Sequence, residues 1–392
     1  MNPKHYKNRY ICLHQNPKAV KRYLYILLAL AAMVLTPLSA QEISRTTIFH
    51  QGMAGYSTFR IPAIVATKSG TLLAFAEARR DGVGDAGNID LVVRRSEDGG
   101  KSWGKMQVVW DDGGNCCGNP SPVVLRRSGR VVLLMTWNRG EDSENAILQR
   151  TANDSRRVYV AYSDDEGRSW STPEEITASA KLPSWTWYAT GPCHAIELWR
   201  NPHRGRIIVP CDHAEYNGRG SDYNAHLIYS DDGGASWHIG GVMQGGNEST
   251  VVERKDGSLM LNSRWQVGRN RFARHYAIST DGGETLGEVV RDEQLPEPVC
   301  QGAIIGYSAM GKPTDHLLFV NPASTKRREH LTLRQSRDGG KVWDEGISLD
   351  EGFAAYSDLV VMPSGDVGIL YERGSRTPYD EIVFVVISKG QF

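Results

Sequence analysis

One eight-residue motif recurs five times along the chain, at residues 96–103, 163–170, 230–237, 279–286 and 336–343. Its form is Ser-x-Asp-x-Gly-x-(Ser/Thr)-Trp, with Leu286 in the last place of the fourth copy and Val342 in the seventh place of the fifth. In such a run the Ser and Asp side chains bond the turn's own backbone. Gly takes up positive φ in the tight bend, and the Trp packs beneath it. Successive copies begin 67, 67, 49 and 57 residues apart. Self-similarity at this spacing is the mark of a repeat architecture.

The intervals between copies hold short β-like runs. Val158-Tyr159-Val160-Ala161-Tyr162 leads into one box and Ala225-His226-Leu227-Ile228-Tyr229 into another. Each box is therefore expected on a hairpin turn within a small four-stranded sheet. A sheet roughly every 50 residues is the spacing of propeller blades. The predicted class is all-β, with residues 41–392 forming one propeller domain of six or seven blades. The boxes identify the scaffold, so function has to be sought in other residues.

Residues 1–40 have the pattern of an export signal. Lys18, Lys21 and Arg22 precede an apolar run over residues 23–35, and Leu38-Ser39-Ala40 ends it in small residues. The run is short for a membrane span. A secreted or periplasmic product with no stable membrane insertion is expected, with an uncleaved anchor as the alternative. The whole chain balances 45 basic against 45 acidic residues, but the leader carries six of the basic ones and no acid. The remaining 39 against 45 leave a net charge of −6, which argues against a nucleic-acid partner. Five cysteines follow the leader: Cys116, Cys117, Cys193, Cys211 and Cys300. An odd number cannot pair completely, and their spacings match no zinc pattern. Most are expected as small buried side chains, with one disulfide open. No metal or cofactor site is expected.

Arginines inside strand-like runs carry the functional signal. Arg60 stands in Phe59-Arg60-Ile61-Pro62-Ala63-Ile64 and Arg264 ends Leu261-Asn262-Ser263-Arg264; Arg327-Arg328 precedes Leu331-Thr332-Leu333. A buried charge is costly unless paired. Propeller strands point their ends at one funnel, so arginines of distant blades can meet there. Three converging guanidiniums make a strong carboxylate site.

Phe59-Arg60-Ile61-Pro62 together with the repeated boxes resembles the sialidases (exo-α-neuraminidases), over about residues 48–388. Further landmarks stand in the family's order: Ala76-Glu77-Ala78-Arg79, Gly84-Asp85-Ala86-Gly87, Asn247-Glu248-Ser249-Thr250, Ala355-Tyr356-Ser357-Asp358 and Leu370-Tyr371-Glu372. The resemblance implies a six-bladed β-propeller. It also implies that Arg60, Arg264 and Arg328 grip a substrate carboxylate, with Arg328 rather than Arg327 as the third. Tyr356 is then the catalytic tyrosine, Glu248 the glutamate beside it and Asp85 the general acid/base. Glu372 steadies Arg60, and Arg79 lies near the C4 side of the sugar. The implied substrates are sialylated glycans, and a monomer is expected.

These residue types suit that chemistry. Sialic acid carries a carboxylate on its anomeric carbon, so a carboxylate nucleophile would meet a like charge at close range. A tyrosine hydroxyl arrives neutral and needs a base to take its proton, the role assigned to Glu248. Asp85 would protonate the leaving oxygen and later activate water, which requires it to hold a proton near working pH. Its neighbours Gly82, Gly84 and Gly87 suit a loop that closes over substrate.

Weaker candidates remain. Glu144 could bind a substrate hydroxyl or sit in a solvated loop. Trp185 and Trp187 could wall the N-acyl or aglycone side or serve as core. Cys211-Asp212-His213 could face the glycerol tail, and His194 is most simply structural. Trans-sialidases and anhydro-forming sialidases share the core residues, so transfer is an alternative to hydrolysis. A non-catalytic sialic-acid-binding propeller would lack Tyr, Glu or Asp, and all three are present.

Overall fold

The computed structural model describes residues 44–268, 271–308 and 311–392; the expected leader at 1–40 lies outside them. Strand β1 (Arg45–His50) comes first among the described residues. Blade I is β2 (Thr58–Ala66), β3 (Leu72–Arg79), β4 (Ile89–Ser96) and β5 (Gln107–Trp110). Blade II is β6 (Cys116–Val124), β7 (Val131–Asn138), β8 (Arg157–Ser163) and β9 (Glu174–Glu175). Blade III is β10 (Trp185–Thr190), continued by β11 (Ile196–Glu197), then β12 (Ile207–Tyr216), β13 (Ser221–Ser230) and β14 (His238–Gln244). Blade IV is β15 (Ser249–Glu253), β16 (Leu259–Ser263), β17 (Ala273–Ser279) and β18 (Val290–Pro296). Blade V is β19 (Ala303–Gly306), β20 (Leu317–Pro322), β21 (Glu329–Ser336) and the first part of β22 (Ile347–Val361); the rest of β22 opens blade VI, which continues with β23 (Val367–Gly374) and β24 (Glu381–Ile387).

The ring is closed by β1, which pairs antiparallel with β24 and so supplies the outer strand of blade VI. This is a six-bladed β-propeller of antiparallel sheets, the class read from the sequence. A single parallel bridge, Ile89 to Cys116, joins the sheets of blades I and II. Among the described residues, two short α-helices interrupt the strands: α1 (Glu144–Leu148), capped by Ser143, and α2 (Thr177–Ala180).

The core is a ring of six apolar clusters, one between each pair of neighbouring blades. Phe59, Ile64 and Leu72 of blade I meet Leu370, Ile382 and Phe384 of blade VI. Leu73 and Phe75 meet Leu133 and Met135 across blades I and II, and the pattern repeats around the ring. Alternation along each strand feeds both neighbours, which is why the strands are apolar on both faces.

The five boxes join the third strand of a blade to the fourth. In the first, Ser96 Oγ donates to Asp98 Oδ1 at 2.8 Å and accepts the Gly100 N–H at 2.8 Å, while Asp98 accepts the Ser102 N–H at 2.9 Å. The same bonds recur in the other four, including the copy with Leu286. Each box also grips the preceding blade. Trp103 packs edge-on against Phe384 and Trp170 against Phe75. A Cβ at Gly100 would lie 2.1 Å from the Phe384 ring, so only glycine fits there. Blade VI has no box because its third and fourth strands, β24 and β1, are not consecutive in the chain.

The five described cysteines are buried and free, so none forms a disulfide. Among the described residues, no helix is long and apolar enough to cross a membrane.

Candidate active site

Two irregularities in adjacent inner strands build the centre of the site. The β2–β3 register slips between Arg60 and Ala63, and Ile61 takes a left-handed φ of 59°. The β22–β23 register slips between Ala354 and Ser357, which leaves Tyr356 in the bulge. Bulges re-aim side chains, and a β-branched residue at positive φ stores strain that its surroundings must hold. Glu372 does the holding. It is fully buried, and its carboxylate accepts the Arg60 guanidinium at 3.2 and 3.4 Å, the Ile61 N–H at 2.8 Å and the Tyr356 N–H at 3.2 Å. One side chain thus ties the first arginine to the tyrosine.

Arg264 and Glu248 extend the β15–β16 hairpin, in which Ser249 pairs with Ser263. Facing each other across it, they form an ion pair of 2.6 Å. The Tyr356 hydroxyl donates a hydrogen bond to Glu248 Oε1 and accepts from Arg264 Nη1 at 3.1 Å. Burial, then the Glu248 charge, pushes the phenol well above its ordinary pKa, against the pull of Arg264 and Arg328. The tyrosine is therefore neutral, with its proton already directed at a base. Arg328 lies 5.2 Å over the Tyr356 ring and donates to the Tyr379 hydroxyl at 3.0 Å. Arg327 instead turns outward, pairs with Glu329 and is 66% exposed.

The β3–β4 loop carries Asp85. Arg79, at the end of β3, holds that loop: Nη1 donates to the carbonyls of Val83 and Gly84 at 2.5 and 2.9 Å and meets Asp85 at 2.8 Å. The other side of the Arg79 guanidinium is fixed by Glu77. Arg60 Nη1 stands 3.7 Å from Asp85. Burial raises the Asp85 carboxyl, but Arg79 and then Arg60 outweigh it and keep the group below its ordinary value. The requirement that Asp85 hold a proton near working pH is thus not met in the free protein; two cations at close range keep it ionised.

One cavity is lined by Arg60, Arg79, Asp85, Glu144, Glu248, Arg264, Arg328 and Tyr356, with Glu372 beneath it. Arg60, Arg79, Asp85, Glu144, Glu248, Arg264, Arg328, Tyr356 and Glu372 therefore meet at one place. Glu144 opens helix α1, and its carboxylate accepts from the Tyr223 hydroxyl at 2.5 Å. It faces the cavity, where burial raises its pKa against that hydrogen bond.

The chain matches the family model described as a BNR repeat-like domain over residues 70–369. It is 33% identical over 344 residues to a sialidase of Micromonospora viridifaciens, covering 84% of this chain and 52% of that protein. A Bacteroides fragilis sialidase is 33% identical over 345 residues, covering 82% and 61%. An exo-alpha-sialidase of Aspergillus fumigatus is 30% identical over 344 residues, covering 81% of this chain and 79% of that protein. The chain belongs to the sialidase family. The solved structure of a Hadza microbial sialidase, Hz136, superposes with a TM-score of 0.78 at 30% identity, covering 89% of this chain and 69% of that one. An intramolecular trans-sialidase from Ruminococcus gnavus shares the fold, with a TM-score of 0.71 at 20% identity over 90% and 99% of the two chains. The chain spans 52% and 61% of the length of the first two relatives.

Several side chains of this sialidase-family site escaped the sequence reading. Glu77 lines the cavity and accepts the Asn119 N–H as well as Arg79. Tyr379 lies 4.3 Å under Arg60 and also bonds Arg328, so it links two of the three arginines. Buried Arg156 is held by Asn119, Thr136 and Asn138 and stacks at 4.0 Å on Trp187. The tandem tryptophans divide: Trp187 faces the cavity, whereas Trp185 stacks on His213 in the core. Of Cys211, Asp212 and His213, only Asp212 lines the cavity. His194 is structural, bonded to buried Asp358 at 2.7 Å. The sequence signal available for Glu77 was its place two residues before Arg79, on the same face of β3; Tyr379 had none.

Proposed function

We propose that this chain is a secreted exo-α-sialidase that releases terminal α-linked sialic acids from glycoproteins, glycolipids and oligosaccharides with retention at the anomeric carbon. The observation that carries the reading is the Tyr356 hydroxyl, pinned between Glu248 and Arg264 beside two further converging arginines. The leader pattern of residues 1–40 supports export. A site drawn from all six blades of one chain supports a monomer.

The substrate carboxylate docks on Arg60, Arg264 and Arg328, which sets the anomeric carbon over Tyr356. Tyr356 Oη attacks that carbon while its proton passes to Glu248. The glycosidic C–O bond breaks, and its oxygen takes a proton from Asp85. For this step Asp85 must first gain a proton. The bound carboxylate offsets the Arg60 charge and expels water, and both changes raise the Asp85 pKa. In the second half Asp85 removes a proton from water, hydroxide attacks the anomeric carbon, and Tyr356 leaves and recovers its proton from Glu248. Two inversions give net retention.

Incubation with sialyllactose, followed by NMR, tests the proposal. The expected first product is free α-sialic acid. A folded protein that releases no sugar defeats it, and transfer to added lactose or formation of an anhydro sugar replaces hydrolysis by the transfer reading.

A further inference from the structure

A buried ion pair is a weak source of stability, because desolvating two charges offsets their attraction and apolar side chains of similar size often do as well. One such pair stands in blade IV, beneath the cavity wall rather than on it. Arg274, on β17, and Glu297, just after β18, are both sealed from solvent and meet at 3.1 Å. Their other side-chain hydrogen bonds go to two short segments, each next to an arginine of the site. On one side Arg274 Nε donates to Asn262 Oδ1 at 2.7 Å and Nη2 to the Asn262 carbonyl at 3.3 Å, while Glu297 Oε1 accepts the Trp265 N–H at 2.7 Å. Asn262 and Trp265 bracket Arg264. On the other side Arg274 Nη1 donates to the Cys300 carbonyl at 2.9 Å, and Glu297 Oε2 accepts the Cys300 N–H at 3.3 Å. Cys300 packs against Tyr356 and follows Val299, whose carbonyl accepts Arg328 Nη2 at 3.4 Å.

Glu372 offers the comparison. It too is fully buried, and it holds Arg60 together with the N–H of Ile61, a β-branched residue at left-handed φ. Val299 is a second β-branched residue in that conformation, at a φ of 57°, beside the second carboxylate. Such backbone persists only where its surroundings over-determine it. One buried acid therefore fixes Arg60, and the other, with Arg274, fixes the chain at Arg264 and Arg328. A guanidinium fork grips a carboxylate bidentately only when it is aligned. Forks aligned beforehand lose little freedom on binding.

We propose that Arg274 and Glu297 are positioning residues that hold Arg264 and Arg328 converged on a substrate carboxylate. The assignment rests on the sialidase reading above. Glu297→Asp keeps the charge opposite Arg274 but is one methylene short of spanning Trp265 and Cys300. Asn262→Ala removes one acceptor of the Arg274 fork and leaves the ion pair whole. Arg206→Gln is the control: it breaks the ion pairs with Asp231 and Glu284 at the box end of blade III.

Calorimetry gives Kd for the 2,3-dehydro derivative of sialic acid and for its C1 carboxamide, with unfolding midpoints taken alongside. The parent should bind the acid at least about 10-fold more tightly than the amide. Glu297→Asp is expected to weaken the acid by about 10- to 100-fold and the amide by less than about threefold. Asn262→Ala should weaken the acid by about three- to tenfold, again sparing the amide. Arg206→Gln should lower the midpoint and leave both Kd values unchanged. A lower midpoint in Glu297→Asp with acid and amide affinities unchanged, or reduced alike, overturns the assignment and makes the pair purely structural. So does a loss of acid affinity in Arg206→Gln, or a parent that does not prefer the acid. If Glu297→Asp does not fold, Asn262→Ala decides, and an unchanged acid Kd there overturns the assignment. Acid-specific losses in a protein that cleaves no sialyllactose would defeat the hydrolase reading and leave the pair assigned. Cleavage with acid affinity unchanged across the variants would do the reverse.

Discussion

The boxes and the cavity sit at opposite ends of the same strands: β4 starts under the Asp85 loop and ends in the first box. Aspartates at the two ends obey different rules. In the first box Asp98 is drawn down to about 2 by the hydroxyl and N–H of Ser102 and by Ser96, all within four residues. In the second and fourth, slight burial is outweighed by Ser169 and Ser163, or by Thr285 and Ser279, and the value is again about 2. At the cavity end Asp85 is lowered by arginines on two strands and Asp212 is raised by burial. The pair that fixes the tyrosine, Arg60 and Glu372, is 312 residues apart in the chain. Local bonds make the boxes stable and uniform, whereas long-range ones make the cavity individual. The two ends should therefore respond independently to mutation.

The largest expected effect is at the cavity. Tyr356→Phe removes the hydroxyl and keeps the ring that Arg60 and Arg328 stack upon. Turnover should fall by about three orders of magnitude or more, with the unfolding midpoint little changed. A comparable loss of stability would show that the two ends are not separable. Next comes Asp85→Asn, with a loss of about 10²- to 10⁴-fold on sialyllactose. The loss should be much smaller on an aryl sialoside, whose leaving group departs without a proton. The pH profile follows from the same geometry. In the free protein Arg79 and Arg60 keep Asp85 below its ordinary 3.8, so the acid form is scarce above that pH. Substrate weakens the Arg60 pull and raises the pKa. The alkaline limb of kcat should therefore lie at higher pH than that of kcat/KM, and coincident limbs would contradict this account.

The same contrast explains what the sequence could and could not tell. The boxes are legible because the Ser and Asp bonds that shape each turn lie within its eight residues. The class follows from them, since a repeated hairpin implies a repeated sheet. Closure by β1 is not legible, because Arg45–His50 pairs with Glu381–Val385 at the other end of the chain and carries no box. The residues given catalytic roles were picked out through family motifs; local spacing alone yielded only arginines in apolar runs. Asp85 lies at the cavity, but the lowering of its pKa in the free protein could not be read from the sequence, because it depends on Arg60 and Arg79 reaching it from two strands. Tyr379 gave no signal at all. Its role under Arg60 and beside Arg328 exists only once blades I, V and VI are brought together.

Smaller effects belong to the boxes. Asp165→Ala removes the acceptor of the Ser163 hydroxyl, the Ser169 N–H and the Ser169 hydroxyl. The residue is half-buried at the surface and its bonds are local, so the cost should be about 1 kcal/mol, with kcat/KM unchanged. The depressed pKa values give a matching pH dependence. A carboxylate lowered on folding stabilises above its unfolded pKa, here 3.8, and that contribution fades as the pH falls towards 2. Urea midpoints should drop between pH 5 and pH 3, and Asp165→Ala should drop less.

The smallest effect tests the box rule by repair rather than damage. In the fifth copy Val342 replaces the hydroxyl residue, so Asp338 accepts the Val342 N–H at 3.0 Å but lacks the hydroxyl bond of the other four. Val342 is 62% exposed, so its side chain contributes little burial. Val342→Ser supplies the missing donor without opening a cavity. It should stabilise the protein by about 0.5 kcal/mol, the low end for a hydrogen bond in water. Activity should be untouched, because Trp343 and the blade IV–V cluster beneath it keep their places. If Val342→Ser leaves the midpoint unchanged or lowers it, the hydroxyl bond is not a stabilising part of the box. The stability of these turns would then rest on the backbone N–H bonds to Asp and on the packing of each box against the preceding blade.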